Sequence, residues 1–239
     1  MMRKTLEDGA KAMNIRLSQR QLDQFELYYK RLIEWNEKIN LTAITDPYEV
    51  AVKHFLDSLA ILPRFAPVRG AVSLIDVGTG AGFPVIPLKI ANPQIQLTLL
   101  DSLQKRVKFL EEVIRDLELE GAVCVHGRAE ELAHDALFRE RFDIAVARAV
   151  APLPVLLEYC SGYVKKGGYM IAYKGPALLE ELSESEKARK ILKMKHVETV
   201  QAEELPVEMD HFMAIFEKNG NLGLQYPRKQ SKIKKEKLV

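Results

Sequence analysis

The chain has 239 residues, of which 47% are hydrophobic and 28% are charged, and its formal net charge is +2. This is the composition of an ordinary globular protein that can bury a sizeable core. No apolar run approaches the ~20 residues needed to span a bilayer, and the N-terminus has no apolar, signal-like segment. We therefore expect a cytoplasmic protein that is not held in a membrane.

The sequence contains two cysteines, Cys124 and Cys160. One lies in an apolar strand pattern and the other in an apolar helix pattern, with no C-x-x-C spacing and no clustered histidines. We expect two buried thiols; neither a disulfide, a metal site nor a cysteine nucleophile is indicated.

Residues 1–68 are predicted to form a helical N-terminal region without a convincing strand. Apolar residues recur at near-helical intervals after Ser18, a candidate N-cap, and a second helix is expected to begin at Asp46-Pro47. Pro63 and Pro67 then interrupt the pattern.

Residues 69–219 alternate between strand and helix patterns, which predicts a mostly parallel sheet with helices on both faces. Strands are expected near 72–77, 95–100, 122–126, 142–147 and 168–173, and helices near 84–91, 103–118, 130–138, 152–161 and 177–194. Two last strands, 196–202 and 211–217, are separated by Leu205-Pro206-Val207 with no room for a crossover helix. They are predicted to be antiparallel. This is the α/β architecture of the Rossmann-like class I methyltransferases, a seven-stranded sheet with one antiparallel strand.

A glycine-rich turn follows the first predicted strand, in the sequence V-S-L-I-D-V-G-T-G-A-G-F-P from position 72. Asp76 precedes Gly78, Gly80 and Gly82, and Phe83 follows them. Glycine has no Cβ, so such a turn can take positive φ and let a ligand lie against backbone amides. A dinucleotide fingerprint has the spacing G-x-G-x-x-G, and the third glycine arrives one residue early. This spacing favours S-adenosylmethionine over NAD.

Asp101 ends the second predicted strand, about 20 residues after the glycine turn, where ribose-binding acids are found. A carboxylate at that place can accept hydrogen bonds from both ribose hydroxyls. Together, the glycine turn and Asp101 favour a ligand site over a plain strand-to-helix connection.

Ligands of open α/β sheets lie outside the carboxyl ends of the strands, so the residues after the later strands are further candidates. Ala129 and Glu130, with Arg128 beside them, are expected near an adenine edge, although Glu130 also suits an ordinary helix N-terminus. Arg148 interrupts an apolar run where an unpaired guanidinium would be costly to bury, so we expect it to line the ligand cleft. Lys174 ends the next strand in a similar way.

The loop after the fourth strand indicates which atom accepts the methyl group. Amino-group methyltransferases carry an N/D-P-P-Y/F loop there and pyrimidine C5 enzymes place a cysteine near it, whereas this chain has R-A-V-A-P from position 148. A ring nitrogen with a lone pair remains, such as guanine N7. Because that atom bears no proton, transfer requires no general base, and catalysis depends on positioning and on excluding water.

These motifs resemble the bacterial RsmG (GidB) family, which methylates guanine N7 in the 530 loop of 16S ribosomal RNA. The resemblance is carried by W-N-E-K-I-N-L-T-A-I (35–44), H-F-L-D-S-L (54–59), D-V-G-T-G-A-G-F-P (76–84), L-L-D-S-L-Q-K-R-V-K-F-L (99–110), R-A-E-E (128–131), R-A-V-A (148–151) and Y-K-G (173–175). It implies a rRNA (guanine-N7) methyltransferase acting on guanine 527, with the N-terminal region on the substrate side.

The resemblance also implies roles for individual residues. Cofactor contacts are expected from Gly78, Phe83, Ala129, Glu130 and Arg148, alongside Asp76, Gly80, Gly82 and Asp101. The guanine and RNA side is expected to include Asn40, His54, Asp57, Ser58, Lys105, Arg128 and Lys174. Among all of these, Arg148, Lys174, His54 and Asp57 are the candidate catalytic residues.

Several alternatives remain open from the residues alone. The competing interpretation of Asn40 is a residue that closes a turn, and that of His54 with Asp57 is a surface pair on one helix face. A small-molecule methyltransferase, a non-catalytic RNA-binding or regulatory protein and, more distantly, an NAD-dependent oxidoreductase are the competing functions. The basic tail, residues 220–239, is either a solvated end or a segment attracted to phosphates. No long apolar seam is left over, so we expect a monomer.

Overall fold

A computed structural model describes residues 1–201 and 211–239. Its sheet has seven strands in the order β3-β2-β1-β4-β5-β7-β6. Strands β1 to β5 run parallel to one another, and β7 lies antiparallel between β5 and β6. The predicted fold class is therefore confirmed. The strands are β1 Ser73–Val77, β2 Gln96–Asp101, β3 Ala122–His126, β4 Phe142–Arg148, β5 Val164–Lys174, β6 Met194–Gln201 and β7 Phe212–Lys218. The predicted connection between the last two strands, Leu205-Pro206-Val207, lies outside the described residues. So does Ala202, the last residue of the predicted strand 196–202.

Helices precede the sheet and connect its strands. Before β1 they are α1 Met2–Ala12, α2 Gln19–Asn36, α3 Pro47–Val50, a π-helix Ala51–Leu56, α4 Asp57–Leu59, α5 Ile61–Arg64 and a 3₁₀ turn Ala66–Arg69. From β1 onward they are α6 Val85–Ala91, α7 Gln104–Asp116, α8 Ala129–Leu132, α9 Leu153–Ser161, α10 Leu178–Glu184, α11 Glu186–Leu192 and α12 Gln230–Lys235. None of the helices described here is both long and apolar enough to cross a bilayer.

Two of the predicted helices differ from those observed. The helix expected over 130–138 stops after one turn at Leu132 and continues as turns. The helix expected over 177–194 is divided at Ser185, whose hydroxyl donates to the Leu182 carbonyl at 2.8 Å. A serine hydroxyl that competes for a backbone carbonyl in this way interrupts regular helix, and hydropathy patterns do not reveal it.

The N-terminal helices pack against one face of the sheet and share its hydrophobic core. Ser18 caps α2 in a capping box with Gln21, and Asp46 caps α3, as predicted. The buried Tyr28 hydroxyl donates to the Ala81 carbonyl at 2.5 Å. The helical region is thus fastened directly to the glycine turn.

The C-terminal segment packs on the opposite face. Ile233 and Leu238 are buried in the second core, and the Arg228 guanidinium forms an ion pair with the buried Glu158 carboxylate at 2.8 Å. Residues 220–239 are therefore docked on the domain and are not a solvated end.

The two thiols are unreactive in this environment. Cys160 is fully buried and Cys124 is partly buried. Burial raises the pKa of Cys124 to about 12 and raises that of Cys160 further. Neither thiol is activated as a nucleophile.

Candidate active site

The glycine turn connects β1 to α6 at the carboxyl edge of the sheet. Gly78, Gly80 and Gly82 have φ of 76°, 62° and 93°, conformations that strain other residues. A Cβ placed on Gly80 would meet no atom within 4 Å, so this part of the turn borders open space. A Cβ on Gly78 would lie 2.9 Å from Val150 Cγ2, because the loop after β4 crosses the first glycine.

Asp101 fastens the turn to the end of β2. Its Oδ2 accepts from the Gly80 amide at 2.9 Å and its Oδ1 accepts from the Leu103 amide at 2.8 Å. Arg106 Nη1 lies 3.5 Å from the same Oδ2. Each carboxylate oxygen has a second lone pair, so these contacts leave acceptor sites for a ligand.

Asp76 is a fully buried acid just before the turn. Neither of its carboxylate oxygens has a hydrogen-bond partner among the described residues. Burial raises the pKa of Asp76 to about 7, and the nearby Thr79 hydroxyl and Arg148 charge offset only part of that effect. A buried acceptor without a donor is costly, and a ligand that brings an ammonium group would satisfy it. The amino-acid part of S-adenosylmethionine carries such a group, so the residues present fit that cofactor.

Arg148, at the end of β4, joins the sheet to the helical region. Its Nη1 donates to Asp57 Oδ2 at 3.0 Å, and its Nη2 lies 3.5 Å from His54 Nδ1. The guanidinium also lies over the Phe83 ring, 5.1 Å from its centroid. Asp57 is only 1% exposed and pairs in addition with His211, at 3.4 Å.

His54 stands at the same place, presented by the π-helix Ala51–Leu56. Segments of π-helix are rare and frequent at functional sites. The imidazole stacks on Phe83 with centroids 4.5 Å apart, and its Nε2 is 2.8 Å from the Thr42 hydroxyl. Burial and the Arg148 charge lower the pKa of His54 to about 4, so the ring is neutral near pH 7. His54 and Asp57 are both buried, and the surface-pair interpretation is wrong for them.

An open pocket of about 730 Å³ lies beside this cluster, between the helical region and the ends of β4 and β5. We call it the base pocket, after the nucleobase that we propose it binds. Lys174 lies in its wall, and its Nζ donates to the Ala151 carbonyl at 3.0 Å and pairs with Glu181 at 2.7 Å. The residues that line the pocket are Ile44, Lys53, His54, Arg148, Ala149, Tyr173, Lys174, Gly175, Pro176, Ala177, Glu181 and His211.

A smaller pocket of about 360 Å³ brings Asn40 and Lys105 together next to Asp101, with Leu103 and Arg106 also in its wall. Arg128 lies further along the same edge, 3.5 Å from Gln230 of the C-terminal segment. The Ala129 carbonyl accepts from the Tyr163 hydroxyl at 2.6 Å, and Glu130 is buried.

Ser58 is not in either pocket. It is fully buried, its hydroxyl donates to the His54 carbonyl, and its own carbonyl accepts from the Tyr173 hydroxyl at 3.3 Å. Ser58 braces the π-helix in this structure, and its hydroxyl is not exposed for the expected RNA contact.

The residues of this site that were not anticipated from the sequence include Thr42, which contacts His54, and Glu181 and His211, which line the pocket. Thr42 lies inside the 35–44 motif and orients His54. Glu181 sits in an acidic helix where nothing in the sequence distinguishes it from its neighbours. The described residues contain no group of three or more His, Cys, Asp or Glu placed to hold a metal ion.

A family model described as "GidB: rRNA small subunit methyltransferase G" matches residues 21–209. Proteins named ribosomal RNA small subunit methyltransferase G are similar over nearly the whole length. The protein from Alkaliphilus oremlandii is 47% identical, covering 97% of this chain and 96% of its own. The protein from Alkaliphilus metalliredigens is 49% identical, and the match covers 94% of this chain and 93% of its own.

Solved structures share the fold at low sequence identity. A Methanococcus jannaschii fibrillarin pre-rRNA processing protein superposes with a TM-score of 0.52 and 19% identity, covering 68% of this chain and 74% of its own. A ribosomal protein L11 methylase from Lactobacillus delbrueckii gives a TM-score of 0.52 and 16% identity, covering 70% and 79%. These likenesses concern the fold.

Proposed function

The chain belongs to the rRNA small subunit methyltransferase G family and is an S-adenosylmethionine-dependent rRNA methyltransferase, and we propose that it methylates N7 of guanine 527 in 16S rRNA. The observation that carries this proposal is the position of Phe83. Its ring follows the last glycine of the turn and also contacts Arg148 and His54 of the base pocket. One side chain therefore adjoins both the cofactor turn and a pocket large enough for a purine.

The cofactor supplies an electrophilic methyl group on a sulfonium, and the chain's own residues bind and orient the reactants. We assign Asp76 to the ammonium group and Asp101 to the ribose hydroxyls, with Gly78, Gly80 and Gly82 providing bare backbone. Ala129 and Glu130 are assigned to the adenine edge.

The chemistry of the pocket suits an acceptor atom that carries no proton. His54 is neutral near pH 7 but engaged by Thr42, and Asp57 is engaged by Arg148, so neither group is poised to remove a proton. Guanine N7 has a lone pair and no proton, so none has to be removed. Arg148 and His54 present flat groups against which a base can stack. Their contribution is orientation and exclusion of water.

The RNA side of the site extends from the base pocket to the smaller pocket. We assign Asn40, Lys105, Arg128 and Lys174 to contacts with the RNA. The docked tail adds lysines next to Arg128, in the segment Arg228 to Lys237. Neutralising phosphates in this way makes affinity fall steeply with added salt. A small-molecule methyltransferase would not show this dependence.

The proposal is tested in cells with and without the protein, by mass spectrometry of 16S rRNA nucleosides. N7-methylguanosine from the fragment containing guanine 527 is expected only where the protein is present. Purified protein should methylate small subunits or their RNA, and Arg148→Ala should lower the rate by about a hundredfold through misplaced reactants. Arg115→Ala, at an exposed position of α7, is the matched control. Undiminished activity of Arg148→Ala would remove that residue from the site.

We further propose that the protein acts in the cytoplasm as a monomer. Sedimentation of the protein at micromolar concentration, with and without RNA, tests the oligomeric state. Catalytic turnover separates the enzyme from a non-catalytic RNA-binding protein, which would bind the cofactor without transferring its methyl group.

A further inference from the structure

We propose that Lys174 and Glu181 select guanine by hydrogen bonding to its Watson–Crick edge. This inference rests on the proposed function, since it names the groups that recognise the base. The two side chains form one ion pair in the wall of the base pocket, with Nζ and Oε2 separated by 2.7 Å.

The pair is fixed in place by backbone contacts on both sides. Lys174 Nζ donates to the Ala151 carbonyl at 3.0 Å, and Glu181 Oε2 accepts from the Leu153 amide at 2.6 Å. Their side chains are 12% and 18% exposed, so each is largely withdrawn from water yet reachable from the pocket. A preorganised pair of this kind loses little freedom when a ligand binds.

Each member keeps hydrogen-bonding capacity for a ligand. Within the described part of the chain, both contacts of Glu181 are made by Oε2, which leaves Oε1 as an acceptor. An ammonium group has three donors, and Lys174 uses two of them. The pair therefore offers one donor next to a carboxylate acceptor.

Among the four RNA bases, this pattern matches guanine best. The Watson–Crick edge of guanine presents an acceptor, O6, followed by two donors, N1–H and the N2 amino group. Adenine presents a donor and an acceptor in the reverse order, and cytosine does the same. Uracil matches guanine at the first two positions, but its third group, O2, is an acceptor that would face the carboxylate. Enzymes that act on a base commonly read it by this edge after it leaves the stack.

The assignment also suits the proposed site of transfer. N7 lies on the other side of the purine from N1 and N2, so a base held by its Watson–Crick edge keeps N7 accessible. Arg148 and His54 line the same pocket on the side of the glycine turn.

A purely structural role for Glu181 is the competing explanation, because its carboxylate also caps the first amide of α9. Glu181→Gln separates the two roles, since the amide oxygen can still accept from Leu153 while the carboxylate is lost. Glu180→Gln, at the exposed neighbouring position of α10, is the matched control.

The test compares methyl transfer to 16S rRNA fragments carrying guanosine or inosine at the target position. Inosine retains N7, O6 and N1–H but lacks the N2 amino group. For the wild type and for Glu180→Gln, kcat/KM should be at least tenfold lower with inosine. Glu181→Gln should lose about tenfold on guanosine, mainly through KM, and its guanosine-to-inosine ratio should approach one. Cofactor affinity and Tm of each variant are measured in parallel.

An unchanged guanosine-to-inosine ratio in Glu181→Gln, or equal losses in Glu180→Gln, would overturn the inference. If Glu181→Gln does not fold, Lys174→Gln takes its place, and its preference for guanosine over 2,6-diaminopurine riboside should disappear. The product formed by the wild type on guanosine RNA is identified in the same experiment. A product other than N7-methylguanosine contradicts the proposed function, whereas N7-methylguanosine with an unchanged ratio contradicts only this inference.

Discussion

Arg148 at the end of β4, in the wall of the base pocket, donates to the buried Asp57 of the N-terminal region at 3.0 Å. The side chains are 17% and 2% exposed, so both charges are largely removed from water. The contact joins the two parts of the molecule that the sequence predicts as a helical region and a cofactor domain.

Replacing Asp57 by Asn should destabilise the protein through this contact. Removing one partner of a buried ion pair leaves the other charge uncompensated, at a cost of about 3 kcal/mol. Urea unfolding should show that loss. Glu118→Gln, which breaks the exposed pair with Arg20, is the control and should change stability by less than about 1 kcal/mol. Equal losses in the two variants would show that the Arg148–Asp57 contact is not structurally important.

Asp76 should make stability depend on pH near neutrality. Its pKa is about 7 when folded and near 3.8 when unfolded, so the folded chain binds the extra proton between these values. The contribution of Asp76 to folding stability is therefore present at low pH and lost as pH rises from about 4 through 7. The difference between the two pKa values corresponds to about 4 kcal/mol of folding stability. Asp76→Asn should remove this dependence and become more stable than the wild type above pH 7.

The titration of His54 changes folding stability in the opposite direction over part of the same pH range. Its pKa is lowered to about 4, so its contribution is present above pH 6.5 and lost as pH falls toward 4. The wild-type curve sums both effects, and the difference between wild type and Asp76→Asn isolates the carboxyl. Asp8→Asn, on the exposed surface of α1, should follow the wild type. A pH-independent difference between wild type and Asp76→Asn would contradict the assignment.

Gly80 should be needed for the cofactor more than for the fold. Gly80 and Gly167 both have positive φ, and a Cβ on either would meet nothing within 4 Å. Alanine at each position should cost about 1 kcal/mol of backbone strain. Only Gly80→Ala should also weaken S-adenosylmethionine binding, by at least tenfold in calorimetry, because the methyl group occupies the space beside the turn. Equal cofactor affinity in the two variants would place the cofactor elsewhere.

The sheet could be predicted from the sequence because alternating apolar strands and glycine turns are local signals. Asp101 and Arg148 were placed at strand ends by the same reasoning, and the structure puts both at the carboxyl edge. The antiparallel last pair followed from the short connection between the strands.

The details of the base pocket depend on packing that the sequence does not display. Glu180 and Glu181 look alike in L-L-E-E-L, and only the approach of the α9 N-terminus distinguishes them. Ser58 resembles a polar contact residue, yet the π-helix turns its hydroxyl onto a backbone carbonyl. The tail has the composition of a solvated end, and the buried pair of Arg228 with Glu158 holds it on the domain.

The identity of the accepting atom is the central claim, and replacing that atom tests it most directly. Two 16S rRNA fragments differ only at position 527, one carrying guanosine and the other 7-deazaguanosine, which has carbon in place of N7. Mass spectrometry should find one added methyl group on the first, as N7-methylguanosine, and none on the second. Equal methylation of both fragments would contradict transfer to N7.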